Sequence, residues 1–265
     1  MAKNRIIYYK DELNDDFAGN HIKTKQIPDD YPYVNHNIFF RVGAFILYYG
    51  IAKPIIWLIM KVMFATKLKN KKVLKKVRGQ GYLIYANHTG DILDAFRPNT
   101  LRLWRKNYII ANPDALSIPG IKTIVAMLGA LPIVDNNIHQ TAKLMEAVEY
   151  RLGQKASVTI YPERHIWPYY TKIRPFSPAS FHYPVKFDIP VVVLTTTYHR
   201  RTGLLRWMKR PKAIHYLDGP FYKDSRLSKA EAKQQLRDEV YQAMTRRASQ
   251  QKQYDYIQYI KQDDQ

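Results

Sequence analysis

From Gly81 onward the chain alternates between two kinds of segment, and this alternation limits the fold more than any other feature. Short runs rich in β-branched and aromatic residues fall at 81–86 (GYLIYA), 107–111 (NYIIA), 131–134 (LPIV), 156–161 (ASVTIY), 190–197 (PVVVLTTT) and 213–217 (AIHYL). Runs of this kind read as strands, and helix-like stretches separate several of them. Over 138–153, Ile138, Thr141, Met145, Val148 and Leu152 share one helical face, and Gly153 ends the pattern as a C-cap. A second helix is predicted after Ser228, which stands three before Glu231 as a capping box, with Leu236, Val240 and Met244 as its stripe. Such alternation predicts an α/β fold with a largely parallel central sheet flanked by helices.

The stretch before this domain is of another character. Residues 1–35 are polar and punctuated by Pro28 and Pro32, a loop-rich lead-in. Met1 to Lys25 has no apolar signal-peptide core, so secretion is not expected. Residues 38–66 are the most apolar part, interrupted by Arg41, Lys53 and Lys61. The longest uncharged stretch, Val42 to Ala52, is short for a spanning helix. Two short helices joined at Lys53-Pro54 are predicted instead, an apolar pair lying in or re-entering a membrane interface. A buried pair of core helices is the competing reading. A basic cluster follows at once: Lys67, Lys69, Lys71, Lys72, Lys75, Lys76 and Arg78. Next to an apolar segment bearing Trp57, it is expected to meet anionic membrane lipid, at about 1 kcal/mol per basic residue. The expected organisation is a membrane-associating region over 1–78 and an α/β domain over 79–265, on the cytoplasmic face of the cell membrane.

Composition narrows the chemistry. The formal net charge of +20 attracts polyanions, either nucleic acid or anionic lipid. No nucleic-acid module motif appears, and a nucleic-acid binder has no use for the apolar segment, so nucleic acid is not expected as a partner. With 0 cysteines, disulfides, thiolate metal sites and a cysteine nucleophile are excluded. No Gly-x-Ser-x-Gly occurs, which argues against a serine hydrolase. No metal-binding cluster or cofactor is expected.

Two blocks carry candidate chemistry. Asn87-His88-Thr89-Gly90-Asp91-Ile92-Leu93-Asp94 follows the first strand of the domain. Open α/β sheets place ligands at the carboxyl ends of strands, so His88 sits where a reactive group belongs. A histidine held in one tautomer by a carboxylate can take a proton from an alcohol as it attacks. The second block is Tyr161-Pro162-Glu163-Arg164-His165, followed by Lys172 and Arg174. Glu163 could bind an acceptor hydroxyl or hold a cationic neighbour. Arg164, Lys172 and Arg174 are candidates to clamp a phosphate. Arg174 leads, because Pro175 after it demands extended backbone; Lys172 is second and Arg164 third, since Glu163 beside it could hold it as an ion pair.

The order of these blocks resembles the bacterial 1-acylglycerol-3-phosphate acyltransferases, the lysophospholipid acyltransferase family. That family carries Asn-His-x-x-x-x-Asp, then Gly-x-x-(Phe/Pro)-(Ile/Val)-Asp-Arg, then Phe-Pro-Glu-Gly-Thr-Arg with Phe-x-x-Gly-Ala-Phe, then an apolar (Val/Ile)-Pro-(Ile/Val)-Val. Here Asn87-His88 matches the first and Gly129-Ala130-Leu131-Pro132-Ile133-Val134-Asp135 the second. Tyr161-Pro162-Glu163 with Phe176-Ser177-Pro178-Ala179-Ser180-Phe181 matches the third, and Ile189-Pro190-Val191-Val192-Val193 the fourth. The resemblance implies acyl transfer from an acyl-CoA or acyl-carrier-protein thioester to a lysophospholipid hydroxyl. His88 and Asp94 would be catalytic, and Asn87, Asp91, Glu163, Arg164, Lys172 and Arg174 would line the substrate site.

The departures fall in telling places. Five residues separate His88 from Asp94 where the family has four, and Asp91 is the rival partner. Asn136 stands where the family has arginine, and Arg164-His165 where it has Gly-Thr. Both changes lie where the family's acceptor phosphate would bind, so the chemistry carries over better than the acceptor. A different hydroxyl acceptor, a basic nucleic-acid binder and a membrane-bound protein without activity are the competing readings.

Overall fold

The computed structural model describes residues 5–17, 27–90, 92–101, 105–117, 120–134, 137–203, 206–250 and 252–262. The chain opens with strand β1 (Arg5–Tyr9) and then a long helical rod: α1 (Ile38–Phe45), a π-helical turn (Ile46–Ala52) and α2 (Lys53–Val62). Next come β2 (Lys67–Lys69), α3 (Val73–Lys76), β3 (Tyr82–Ala86), β4 (Asn107–Ala111), α4 (Asp114–Ser117), α5 (Lys122–Leu128) and β5 (Ala130–Pro132). Then follow α6 (Ile138–Gly153), β6 (Ser157–Ile160), α7 (His182–Phe187), β7 (Val191–His199), β8 (Lys212–Phe221), α8 (Lys229–Gln250) and β9 (Ile257–Lys261).

Seven strands form the main sheet in the order β2-β8-β7-β3-β6-β4-β5. Pairing is parallel except between β7 and β8, which are antiparallel, so β2 and β8 run against the other five. Each strand-like run of the sequence forms a strand. All five residues of β3 are buried, as expected for a central strand covered on both faces. Leu83 and Tyr85 pack with the buried faces of α6 and α8 in one core. Tyr82, Ile84 and Ala86 pack with Val73, Leu74 and Val77 of the α3 region in a second core.

The helix after Ser228 carries the expected capping box: the Ser228 N–H donates to Glu231 Oε2 at 2.9 Å and the Glu231 N–H to Ser228 Oγ at 3.3 Å. In α6 the buried face is rotated from the expected stripe. Gln140, Leu144, Ala147, Val148 and Leu152 face inward while Ile138 is exposed. Gln140 is drawn in because its amide donates to Ile27 O and Asp29 Oδ1, both at 2.9 Å.

The predicted pair of short helices is instead one rod, Ile38–Val62, long and apolar enough by length and composition to cross a membrane. Pro54 does not break it. Proline lacks an N–H and clashes with the carbonyl four residues back. The π-turn widens the ladder just before it, so the Lys53 N–H already bonds five residues back to Tyr48 O. Ala44, Tyr48, Lys53, Ile56 and Met60 form the buried face. The Tyr48 hydroxyl fastens it, donating to Asn99 Oδ1 at 2.8 Å and accepting from the Asn107 N–H at 3.0 Å. The outer face leaves Phe39, Phe45, Trp57 and Leu58 exposed.

Two strands escape the sequence pattern. β2 lies inside the basic cluster as Lys-Leu-Lys, an edge strand whose lysines are exposed. β1, in the polar lead-in, pairs in parallel with β9. Strand pairing therefore crosses the 78/79 boundary twice.

Candidate active site

The site is built where β3 ends. Asn87 continues the β3–β7 ladder with its side chain: Nδ2 donates to Thr196 O at 3.0 Å and Oδ1 accepts the Thr196 N–H at 2.8 Å. The candidate substrate contact is thus a buried clamp that fixes the start of the loop. His88 comes next, its side chain 15% exposed.

His88 Nδ1 lies 2.9 Å from Asp94 Oδ2. A carboxylate accepts and does not donate, so Nδ1 carries the proton and Nε2 is left as the basic nitrogen. The extra residue between His88 and Asp94 is taken up in a turn closed at both ends. The Asp94 N–H donates to Gly90 O at 2.9 Å, and the Gly90 N–H to Asp94 Oδ2 at 2.8 Å. A Cβ on Gly90 would overlap Arg97 Nη2 and Asp94 Oδ1, so a side chain there would displace the buried Asp94–Arg97 pair. Asp91, Asp135 and Asn136 lie outside the described residues.

The second block closes on the first. Buried Glu163 accepts the His88 N–H on Oε2 at 2.9 Å and the Arg174 N–H on Oε1 at 3.1 Å. Burial pushes the Glu163 carboxyl up, while Arg174 and these two N–H donors pull against it. Of the two roles weighed for Glu163, the geometry favours holding neighbours over touching an acceptor. Arg174 is 1% exposed. Its guanidinium bonds Glu163 O and His165 O, sits 3.7 Å from Glu163 Oε2, and lies over the Trp167 ring. The leading phosphate candidate is therefore turned inward. The carbonyls of Glu163 and His165 are the acceptors that hold it there. Lys172 and Arg164 are exposed. Arg164 holds φ +66°, a left-handed conformation that glycine, the residue of the family pattern at this place, would take without strain.

Three contributors went unrecognised in the sequence. The Tyr161 ring stacks on the His88 ring at 4.3 Å, and its hydroxyl donates to Asp94 O at 2.5 Å. Its place at the strand end, where the family has phenylalanine, was the available signal. Arg97, 3% exposed, stands 2.9 Å from Asp94 Oδ1 and donates from Nη1 to Thr196 Oγ1 at 2.9 Å. Burial opposes its charge, but Asp94 and then the Tyr198 and Tyr161 hydroxyls override that, and the net direction is up. The i, i+3 spacing from Asp94 is that of a helical ion pair, a signal that was present. Trp167, fully buried, donates its backbone N–H to His88 O at 3.1 Å. Among the described residues no group of three or more metal-ligating side chains gathers.

A strand-end histidine oriented by a buried carboxylate in an open α/β sheet has the geometry to accept a proton on its free nitrogen. The family model for acyltransferases matches residues 60–197. The chain belongs to the acyltransferase family, and it is an acyltransferase. Its fold is similar to that of the 1-acyl-sn-glycerophosphate (LPA) acyltransferase PlsC from Thermotoga maritima, at TM-score 0.53 and 16% identity over 83% of this chain and 91% of that one. No curated protein matches the sequence.

Proposed function

We propose that this enzyme moves a fatty acyl group from an acyl-CoA or acyl-carrier-protein thioester to the hydroxyl of a lysophospholipid such as 1-acylglycerol-3-phosphate, with His88 as general base. The observation that carries the reading is the 2.9 Å bond between His88 Nδ1 and Asp94, which frees Nε2 for the acceptor. Nε2 takes the proton as the hydroxyl oxygen attacks the thioester carbonyl. The tetrahedral intermediate then collapses, the C–S bond breaks, and the imidazolium returns the proton to the departing thiolate. Asp94 holds the imidazolium as it forms.

Exposed Arg164 and Lys172 are the cations of the second block available to an acceptor phosphate, and Arg174 with Glu163 and Asn87 holds the loops in place. The exposed apolar face of Ile38–Val62 and the exposed basic cluster after it support work at a membrane surface. The experiment is turnover with labelled acyl thioester against lysolipids with and without phosphate. His88→Ala is expected to lose about 10²–10⁴-fold in kcat with the fold intact. Near-wild-type turnover in that variant would remove the base.

A further inference from the structure

The loop joining β7 to β8 carries five cations, Arg200, Arg201, Arg206, Lys209 and Arg210, and no acid. Trp207 stands among them at 75% exposure. Tryptophan is highly buried on average, and this ring instead stands open among cations. Both described ends of the loop are tied down. Arg201 hydrogen-bonds Val62 O and Met63 O, the carbonyls that close the apolar rod. Arg210 lies over the Phe64 ring, and the Ala213 N–H donates to Phe64 O at 3.0 Å. On the same side, β2 pairs Lys67 with Ile214 and Lys69 with Tyr216, which brings the basic cluster alongside. Topology supplies the last element. β7 runs parallel to β3 with Leu194 opposite Ala86, so the loop leaves the same edge of the sheet that bears His88.

We propose that the β7–β8 loop is a second membrane contact, with Trp207 seated at the level of the lipid headgroups and Arg206 and Lys209 on anionic phosphates. The proposal rests on the membrane reading of the rod. An indole with an apolar body and a polar N–H suits that interface, and cations around it draw anionic lipid. Rod and loop together give two points of contact, which fix the tilt of the His88 edge against the bilayer as one point does not.

The test uses the full chain. Binding is measured by co-sedimentation with vesicles of phosphatidylcholine alone and of equal parts phosphatidylcholine and phosphatidylglycerol. Trp207→Ala is expected to bind both about tenfold more weakly, through lost apolar burial. Arg206→Glu with Lys209→Glu is expected to lose at least about 20-fold on the anionic vesicles and little on the neutral ones. Both variants should keep wild-type turnover on a water-soluble short-chain thioester and acceptor, which shows that they fold. If the wild type binds and Trp207→Ala binds both vesicles equally well, the loop proposal is overturned and the rod reading stands. If the wild type binds neither vesicle, both fall.

Discussion

Arg97 stands 2.9 Å from Oδ1 of Asp94 while His88 occupies Oδ2 at 2.9 Å, so one buried carboxylate is shared by a fixed cation and the candidate base. Removing one member of a buried ion pair strands the other charge, at about 3–5 kcal/mol. Arg97→Met is therefore expected to lose about that much stability in urea unfolding. Adding Asp94→Asn should recover most of it, because no charge is then left unpaired, while transfer stays low. Additive losses in the double variant would show that the two residues are uncoupled.

His215 gives the site a pH signature. It lies buried, with Nδ1 3.0 Å from Thr196 Oγ1, the hydroxyl that also accepts from Arg97 Nη1. Burial, and then the charge of Arg97, push its imidazole well below the ordinary 6.5. The unfolded chain then binds a proton near pH 6.5 that the folded chain refuses. Stability falls as pH drops below that value and is whole above it, with a slope of up to about 1.4 kcal/mol per pH unit. His215→Gln is expected to flatten this part of the stability curve. An unchanged slope would assign the loss to other groups.

Arg164 separates backbone from side chain. At φ +66° it occupies a conformation that costs a non-glycine residue about 1–3 kcal/mol, part of which glycine's greater unfolded entropy offsets. Arg164→Gly should thus be neutral or more stable, by up to about 1 kcal/mol in thermal melting. Arg164→Asn tolerates the same backbone and removes the charge. If the guanidinium reads an acceptor phosphate, both variants raise KM for phosphate-bearing acceptors and leave KM for the thioester alone. Equal KM values for acceptors with and without phosphate would clear Arg164 of that role.

What the sequence disclosed follows from how local each signal is. β3, β6 and β7 announce themselves because central parallel strands are apolar throughout. The His88–Asp94 pair was legible because six positions separate its members and one turn joins them. Arg174 reads from the sequence as a phosphate clamp because a cation beside a motif says nothing of the carbonyls that surround it in the fold. β1 was invisible for a related reason. Arg-Ile-Ile-Tyr-Tyr has strand character, but its partner β9 lies at the other end of the chain. The sequence predicts a broken rod because Lys53 and Pro54 are strong local signals, and a π-turn that accommodates the proline leaves no mark in composition.

The β1–β9 pairing brings both termini against Trp167. Trp167 is enclosed by Tyr9 at 4.7 Å, Phe17 at 5.3 Å and Tyr259 at 4.9 Å between ring centres. Its indole N–H donates to Asp15 O at 2.8 Å, and the Tyr259 hydroxyl to Pro168 O at 2.9 Å. The two ends of the chain, both outside the residues matched by the family model, therefore grip the loop whose backbone bonds His88 O. Losing the grip should free the 165–170 loop and, through it, the His88 turn. Tyr259→Phe removes one hydrogen bond, worth about 1 kcal/mol, and keeps the stacked ring. Tyr259→Ala removes both the bond and the ring stacked on Trp167, and costs more than the Phe variant. The Ala variant is expected to melt lower and to lose kcat with KM for the thioester unchanged, because the base is displaced and the donor is not; the Phe variant should restore most of kcat. Wild-type kcat in a Tyr259→Ala protein that melts lower would mean that the terminal strands stabilise the fold without steadying His88.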